Sequence, residues 1–559
     1  MSDRVRFVCD GVGVEADAGT TLLTVLREQL AKTSVKDGCA PQGQCGCCTV
    51  LVDGEARVAC VTPVARVAGR EVTTPEGLPA EERDEMARSF VATGGSQCGF
   101  CTPGIVMRAV AARRKGRVLD DRGLAAHLCR CTGWMTVRDA VVGSQQPVRD
   151  SEVASARATL EGGPQRVGDD VPLGGGGFAD DTAPRDELVA VPLPPGSDAP
   201  CEEAAGGRWV VAETLAAARA AAGTVQGRRS GSEARPPLSL PDAAEGGVRL
   251  ATSWVEPAYL EPDASWCEPG GRPASPLANG GAFGGKESSL SPLAARTLAD
   301  RLGRTVRVVY SREDVVRLGP KRPPIAARAR FDGDVVELHG VVAGATGPFL
   351  APVDWPYEIE ERGSWEQGDV PGPPTTTELR AVGLAERACL LEGALDEAGA
   401  DRAALVRDAR IAATLLDVCA PASSDALAGA RLVIGESGIE RVDVRVAAGD
   451  PLDEIVLRSY AIGAAHMALG WVCSEGLAVD EGGIPLDLTI RSFGVIRAAE
   501  TPAIAVEIMD DPGPPLARSS DAVFAAVAAA MWNALARDEG TRPDSFPARA
   551  TRLGRSLRR

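Results

Sequence analysis

Four closely spaced thiols between residues 98 and 131 constrain this chain more than any other feature of its sequence. They form two close pairs, Cys98/Cys101 and Cys129/Cys131. Thr102 and Pro103 follow the first pair and suit the N-cap and first turn of a helix, whose positive end favours thiolate charge. The spacing alone fits a structural zinc site and an iron–sulfur cluster equally well.

A second group of cysteines precedes these, in a glycine-rich loop between two predicted β-hairpins. The hairpins turn at Asp10-Gly11 and Asp53-Gly54, dipeptides that favour tight turns. The cysteine spacing is close to the plant-type [2Fe–2S] pattern, with one extra residue in the first gap. We therefore predict four ligands, with Cys47 left over: Cys39, Cys45, Cys48 and Cys60. A zinc site or inert thiols are the alternative.

Charge and composition exclude several classes of protein. The chain has 60 basic and 77 acidic residues, a net charge of −17, which disfavours nucleic acid and anionic membranes as partners. The first residues lack the apolar core of a signal peptide, and no apolar run looks long enough to span a bilayer. We therefore predict a cytoplasmic protein, in which crowded cysteines favour metal ligation over disulfides.

Three segments carry a resemblance to a known family: residues 38–54, 97–104 and 129–133. Over about residues 4–140 the chain closely resembles the iron–sulfur portion of the molybdenum hydroxylases, the xanthine dehydrogenase/aldehyde oxidase family. The resemblance implies a β-grasp ferredoxin domain and a small helical domain, each holding one [2Fe–2S] cluster. It further implies that the second cluster lies nearer the molybdenum cofactor and that Gln97 contacts the pterin.

The second half resembles the molybdopterin-binding portion of the same family, in fragments. The most specific fragment is a glycine-rich loop before a predicted helix at 293–299. Alone, such a loop is a tight turn into a helix, although its bare amides could approach an anionic or oxo ligand. The resemblance implies that it borders the metal site, with Phe283 near the substrate. The predicted cofactor-binding residues are Gly281, Ala282, Phe283, Gly284 and Gly285.

Two further residues are predicted to be catalytic from their positions in the resemblance. Arg380 falls at the family's arginine turn and is a candidate anchor for substrate or cofactor; a surface arginine is the alternative. Asp521 stands where the family has a glutamate base, and Val382 replaces the phenylalanine of the arginine turn. The shorter carboxylate must still reach the proton that it removes. The second half of the chain is also shorter than the family's molybdenum domain and contains no Gly-Gln-Gly loop.

These observations predict an α+β protein: a β-grasp plant-type ferredoxin domain, a small helical [2Fe–2S] domain and a reduced molybdopterin-binding-like region. The predicted boundaries are 1–76, 77–142, a linker at 143–175, and two molybdopterin-domain-like parts at 176–330 and 331–559. The predicted function is oxidation or hydroxylation of an aldehyde or N-heterocycle, with electrons passing through two clusters. The alternative is a non-catalytic electron-transfer or scaffold subunit.

The predicted partner is a separate electron acceptor. In many members of the family a flavin domain lies between the iron–sulfur and molybdenum parts, and no segment of that length intervenes here. The acceptor must then be a flavoprotein or another subunit. The resemblance also implies a homodimer or a larger complex.

Overall fold

The computed structural model describes residues 4–39, 42–143, 149–163, 165–223, 225, 233–242, 246–275, 280–344 and 353–558. Within them the chain is a mixture of helices and sheets, as the sequence predicts. Its strands form four sheets, one in the first 73 residues and three in the second half. The helical region that lies between them carries the second group of cysteines.

The first sheet and its helix consist of β1 (Arg4–Cys9), β2 (Val12–Asp17), α1 (Leu22–Thr24), β3 (Thr49–Val52), β4 (Glu55–Val58) and β5 (Glu71–Thr73). The five strands lie in the order β2-β1-β5-β3-β4, with β1 and β5 parallel. Both predicted hairpins are confirmed. Asp10 and Gly11 have φ values of 49° and 78°, and Asp53 and Gly54 have 48° and 79°, as a type I′ turn requires.

Four helices follow: α2 (Ala80–Thr93), α3 (Thr102–Arg113), α4 (Asp121–Leu124) and α5 (Met135–Val142). Helix α2 ends at Gly94, whose φ of 68° allows the left-handed cap. The predicted cap of α3 was wrong by one residue. Cys101 is the N-cap and Thr102 is already helical, with its hydroxyl 3.1 Å from that of Ser96. The helix start therefore lies directly at a cysteine.

The stretch that the sequence predicts as a linker contains an ordered helix. Helix α6 (Ser151–Leu160) begins at Asp150, whose side chain accepts hydrogen bonds from two backbone amides of the first turn. Its Ala154 and Ala158 are buried against Val456 of a later helix. A short helix, α7 (Ala179–Thr182), closes this region. The glycines of the stretch therefore join elements that pack on the second half of the chain.

Two of the later sheets have five strands, in the orders β10-β11-β6-β8-β7 and β14-β13-β12-β9-β19. Their elements, with the helices between them, are β6 (Leu188–Pro192), β7 (Glu202–Ala204), β8 (Gly207–Ala212), α8 (Leu215–Ala222), β9 (Gly247–Thr252), β10 (Ala264–Cys267), α9 (Ser291–Leu302), β11 (Val306–Val309), α10 (Arg312–Leu318), β12 (Ile325–Asp332), β13 (Val335–Ala343), β14 (Glu360–Gly368) and β19 (Ser545–Phe546). The predicted helix at 293–299 is confirmed within α9.

The last sheet, β15-β16-β17-β18, packs with three long helices in the largest core of the molecule. The elements of this region are α11 (Arg380–Glu397), α12 (Arg402–Leu405), α13 (Ala409–Thr414), β15 (Val418–Pro421), β16 (Leu427–Gly435), β17 (Gly438–Ala447), α14 (Glu454–Cys473), β18 (Ala503–Ile508), α15 (Ser519–Glu539) and α16 (Arg552–Ser556). Helices α11, α14 and α15 are rich in alanine, so their backbones approach one another closely.

Contrary to the sequence prediction that no apolar run is long enough to span a bilayer, α14 and α15 among the described residues meet that test by length and average composition. Both are core helices, since 83% of the apolar window of α14 and 94% of that of α15 are buried inside the fold. Burial by protein on all sides accounts for their apolar character without a bilayer.

Candidate functional site

The four predicted ligands of the first set meet at the edge of the first sheet. Cys39, Cys45, Cys48 and Cys60 are all at most 2% exposed. The Cys39 thiol is within hydrogen-bonding reach of Cys45 and Cys60, and Cys60 in turn of Cys48. Hydrogen bonds from Cys45 and Cys60 hold the pKa of Cys39 well below its usual range. The set therefore favours at least one thiolate, which is the form that binds metal.

Backbone amides also point at these sulfurs. The amides of Gln44 and Cys45 lie 3.3 and 3.4 Å from Cys39 Sγ, and the amide of Cys60 lies 3.4 Å from Cys48 Sγ. Cys47, which the prediction leaves over, is fully buried and hydrogen-bonds to Cys45. Amide donors around sulfur stabilise negative charge and tune the potential of a bound cluster.

The second set also converges. Cys98 Sγ and Cys131 Sγ are 3.5 Å apart, and Cys129 hydrogen-bonds with both Cys101 and Cys131. Hydrogen bonds from these two thiols hold the pKa of Cys129 well below its usual range, and Thr132 Oγ1 lies 3.1 Å from its sulfur. In the part of the chain that the structure describes, no three or more His, Cys, Asp or Glu side chains surround a place for a single metal ion. The thiols meet as linked neighbours instead.

A backbone hydrogen bond joins the two sets. The amide of Leu128, next to Cys129, donates to the carbonyl of Cys45 over 3.0 Å. Gly46 has a φ of 74°, and a Cβ there would lie 2.5 Å from His127 Nδ1. Only glycine allows the first loop to approach the turn before the second set this closely. A single hydrogen bond thus connects Cys45, a candidate ligand of the first set, with the residue before Cys129, a candidate ligand of the second.

The predicted cofactor loop lies against the second set on one side and Arg380 on the other. A Cβ at Gly280 would lie 2.2 Å from Cys131 Sγ and 2.4 Å from Cys98 Sγ. Farther along, a Cβ at Gly284, where φ is 93°, would lie 2.7 Å from Arg380 Nη1. The loop therefore passes from the cysteines to the arginine with no room for side chains at these positions.

Phe283, inside this loop, has a φ of 46°, a conformation that an aromatic residue adopts rarely. Its ring centroid lies 5.9 Å from that of Phe524 on α15. The predicted loop residues and the last long helix are therefore in contact.

A pocket lies between the loop, the second cysteine set and the connecting segment, with about 30 Å³ of enclosed cavity within about 390 Å³ of empty space that includes open solvent. Its walls include residues that are far apart in the sequence: Gln97, Cys131, Glu161, Gly162, Gly163, Gln165, Gly281, Phe283, Tyr460, Met467 and Ser520. Three predicted cofactor-binding residues, Gln97, Gly281 and Phe283, line it directly, together with the predicted ligand Cys131. Ala282 and Gly285 belong to the same loop but not to the wall.

The Arg380 guanidinium and the Asp521 carboxylate are neighbours beside this cavity. Arg380 Nε donates to Asp521 Oδ2 over 3.4 Å, and Nη1 donates to Glu287 Oε1 over 3.1 Å. Burial raises the pKa of Asp521 to about 6; the charge of Arg380 opposes this rise and that of Glu161 adds to it. Within the described residues, Asp521 Oδ1 and Arg380 Nη2 are buried with no hydrogen-bond partner. Each residue therefore has one polar atom available to a bound group.

Sequence reasoning missed the buried ion pair between Arg130 and Glu475. Arg130 lies between two cysteines of the second set, and both of its Nη atoms contact the Glu475 carboxylate, at 2.5 and 2.7 Å. Its Nε donates to Pro257 O over 2.9 Å. The pair therefore ties the cysteine loop to the second half of the chain. The residues are 345 positions apart, and no local pattern indicates their pairing.

Replacing Glu475 by alanine should destabilise the protein by roughly 3–5 kcal/mol, because Arg130 would keep a buried charge without its counter-ion. The measurement is the free energy of unfolding by denaturant, for the transition of the part of the protein that contains α14. Glu481→Ala is the matched control, since Glu481 is exposed. A loss below about 1 kcal/mol, typical of a surface pair, would show that the pair contributes little.

Comparison with known proteins agrees with the cysteine geometry. Residues 74–142 match a family described as [2Fe-2S] binding domain. The chain is 39% identical over 140 residues to the xanthine dehydrogenase iron-sulfur-binding subunit of Escherichia coli, a match that covers 24% of this chain and 87% of that protein. It is 42% identical over 134 residues to aldehyde oxidoreductase of Megalodesulfovibrio gigas, covering 22% of this chain but only 15% of that protein.

The fold of the whole chain is similar to a solved structure. Aldehyde oxidoreductase from Desulfovibrio gigas superposes with a TM-score of 0.74 at 15% identity, covering 100% of both chains. The matched [2Fe-2S] domain, the paired thiols and the sequence relatives place the chain among the iron–sulfur oxidoreductases. The chain belongs to the xanthine dehydrogenase/aldehyde oxidoreductase family. The resemblance inferred from the cysteine motifs is thus confirmed, while the low identity of the structural match supports the fold alone for the second half.

Proposed function

We propose that this protein oxidises or hydroxylates an aldehyde or N-heterocycle in the cavity beside Phe283 and passes the electrons out through two [2Fe–2S] clusters. The observation that carries the proposal is the shared wall of this cavity. Cys131 of the second set, the glycine-rich loop and Ser520, which precedes Asp521, all line it. The proposed reaction site and the proposed path by which electrons leave therefore meet at this cavity.

The proposed cluster ligands are the eight cysteines of the two sets. Cys39, Cys45, Cys48 and Cys60 would hold the first cluster, and Cys98, Cys101, Cys129 and Cys131 the second. Their linked thiols, all buried except the half-buried Cys98, and the amides directed at sulfur suit clusters with two irons better than a single zinc ion. The mixed five-stranded sheet of residues 4–73 supports a β-grasp ferredoxin domain, and helices α2 to α5 support a second cluster-binding domain.

The residues around the cavity fit a molybdopterin-type molybdenum cofactor in two respects. Glycines with positive φ at 281 and 284 leave bare amides on the loop, and Arg380 and Asp521 each keep a buried polar atom unpaired. When bound, such a cofactor supplies oxygen-transfer chemistry and takes up the substrate's electron pair. Gln97 and the loop would hold it.

The protein's own groups would perform the remaining steps. Asp521 would accept a proton at Oδ1, the atom that has no other hydrogen-bond partner in the described part of the chain. Arg380 would anchor an anionic or carbonyl oxygen through Nη2, and Phe283 would exclude water from one side of the substrate. A separate flavoprotein, or another acceptor in a larger complex or a homodimer, would take the electrons. The cytoplasm is the proposed compartment.

Metal analysis of protein from a host that makes the cofactor tests this proposal. We expect iron, acid-labile sulfide, molybdenum and pterin in the purified chain, and bleaching of the cluster absorption when an aldehyde is added without oxygen. Intact clusters without molybdenum and pterin would instead indicate an electron-transfer or scaffold subunit, the alternative that the shortened second half and the missing Gly-Gln-Gly favour. Absence of iron would overturn both the proposed oxidoreductase and the alternative electron-transfer or scaffold subunit.

A further inference from the structure

Glu161, just after helix α6, is a buried carboxylate on the wall of the cavity. Three donors surround it. Arg157 Nη2 and Ser519 Oγ both donate to Oε1, the latter over 2.5 Å, and the amide of Ser520 donates to Oε2 over 2.9 Å. Arg157 Nη2 also donates to Ser519 Oγ over 3.0 Å. Glu161 is thus fixed in place between α6 and the first turn of α15.

Glu161 and Asp521 are neighbouring buried carboxylates with opposite hydrogen-bonding states. Both oxygens of Glu161 accept hydrogen bonds, whereas Oδ1 of Asp521 accepts none from the described part of the chain. Glu161 therefore suits an anchoring role, and Asp521 keeps the free oxygen.

The anchor acts on the turn that carries Asp521. Ser519 and Ser520 are the two residues before it, and the amide of Arg518 donates to Leu160 O over 2.9 Å. Arg518 has a φ of 57°, so this turn has an uncommon backbone conformation that contacts must maintain. Negative charge at the start of a 21-residue helix is also favourable.

The same segment covers Arg380. Gly162 has a φ of 137°, and a Cβ there would lie 3.2 Å from Arg380 Nη2. The backbone after Glu161 therefore passes close to the guanidinium that pairs with Asp521. The connecting segment therefore lies close to both members of the Arg380–Asp521 pair.

We propose that Glu161 is a positioning residue for the reaction, which fixes the first turn of α15 and thereby the orientation of the Asp521 carboxylate. Arg157 in turn orients Glu161. The inference rests on the proposed function, since it assigns Asp521 the role of proton acceptor. It adds a part of the site that comes from the segment between the iron–sulfur region and the second half.

The charged groups that act on Asp521 come from three elements. Arg380 begins α11 and contacts it, Glu161 follows α6, and Arg518 precedes α15. Two more groups act through these, Glu287 through its pair with Arg380 and Arg157 through its pair with Glu161. Of these five, only Glu161 both acts on Asp521 electrostatically and hydrogen-bonds the turn before it.

Glu161→Gln is the variant that tests the inference, with Glu152→Gln as the matched control. The two carboxylate oxygens of Glu161 accept hydrogen bonds from three donors, whereas glutamine has a single acceptor oxygen. The turn therefore loses a hydrogen bond together with the negative charge. Glu152 is exposed in the first turn of the same helix. The first readout needs no bound cofactor: the infrared band of protonated Asp521, assigned by its loss in Asp521→Asn, is titrated with pH.

We expect a midpoint at about pH 6 in the wild type and in Glu152→Gln. In Glu161→Gln it should fall by roughly one pH unit, because a neighbouring negative charge is removed. In active enzyme, kcat should fall about tenfold or more with KM nearly unchanged, as expected when a reacting group is displaced. Wild-type behaviour of Glu161→Gln in both readouts would overturn the inference.

If Glu161→Gln does not fold, Ser519→Ala decides the question, since it removes a single hydrogen bond to Glu161. A smaller change in the same direction supports the positioning role, and an unchanged midpoint and kcat overturn it. The proposed function fails separately. Protein without molybdenum or turnover, but with a shifted Asp521 midpoint in Glu161→Gln, would reject the reaction and retain the structural link.

Discussion

Replacing Cys129 by alanine is expected to remove about half of the iron and acid-labile sulfide of the protein and to reduce turnover with an external acceptor to background. Cys129 is the central thiol of the second set, hydrogen-bonded to Cys101 and Cys131, and it has the lowered pKa that metal binding favours. The electron paramagnetic resonance spectrum of the reduced protein, recorded beside the iron assay, should keep the signal of one cluster and lose the other.

Cys47→Ala is the matched control for this experiment. Cys47 is as buried as the proposed ligands but is not assigned to either cluster. It should retain both signals and the full iron content. Loss of a cluster in Cys47→Ala, or two intact clusters in Cys129→Ala, would contradict the ligand assignment.

Replacing Asp521 by asparagine should lower kcat by roughly 10²- to 10⁴-fold, the contribution of a positioned general base. Asparagine preserves the size of the side chain and its contact with Arg380 but cannot take up a proton. Both clusters should be unaffected, because all eight proposed ligands are cysteines elsewhere in the chain. Asp510→Asn, at an exposed position after β18, is the control. Unchanged turnover would remove Asp521 from the mechanism.

The pH profile of kcat/KM gives an independent check on Asp521. Its carboxylate is the active form and its pKa is raised to about 6 by burial, so activity should increase with pH up to about 6 and level off above it. The same raised pKa predicts a stability effect of defined sign. Because the unfolded value is about 3.9, Asp521 favours the folded state below that pH, and this contribution is lost as the pH rises through 6.

The cysteine sets and hairpins could be predicted because their determinants are local. The turns at Asp10-Gly11 and Asp53-Gly54 need two adjacent residues with positive φ, which the dipeptides supply. The helix start at residue 102 was misplaced by one residue, since Thr102 hydrogen-bonds to Ser96 and does not cap the helix. Local patterns predict that an element exists better than they predict its first residue.

Arg380 and Asp521 could be proposed from the sequence only through family resemblance, since no spacing links residues 141 positions apart. The structure brings them into contact and, within the described residues, leaves one atom of each unpaired. For the segment predicted as a linker, neither local pattern nor family resemblance indicated a packed helix. Its glycines and small residues gave no sign that α6 packs on α14.

The sequence alone determined the thiol sets, the two hairpins and the family of the chain, since these depend on residue type and short spacing. Only the tertiary structure decided that Glu161 supports the turn of Asp521 and that Glu475 neutralises Arg130. These groups lie 358 and 345 positions from the residues that they contact. A buried charge requires a counter-charge or hydrogen-bond donors, but any distant element that folding brings near can supply them.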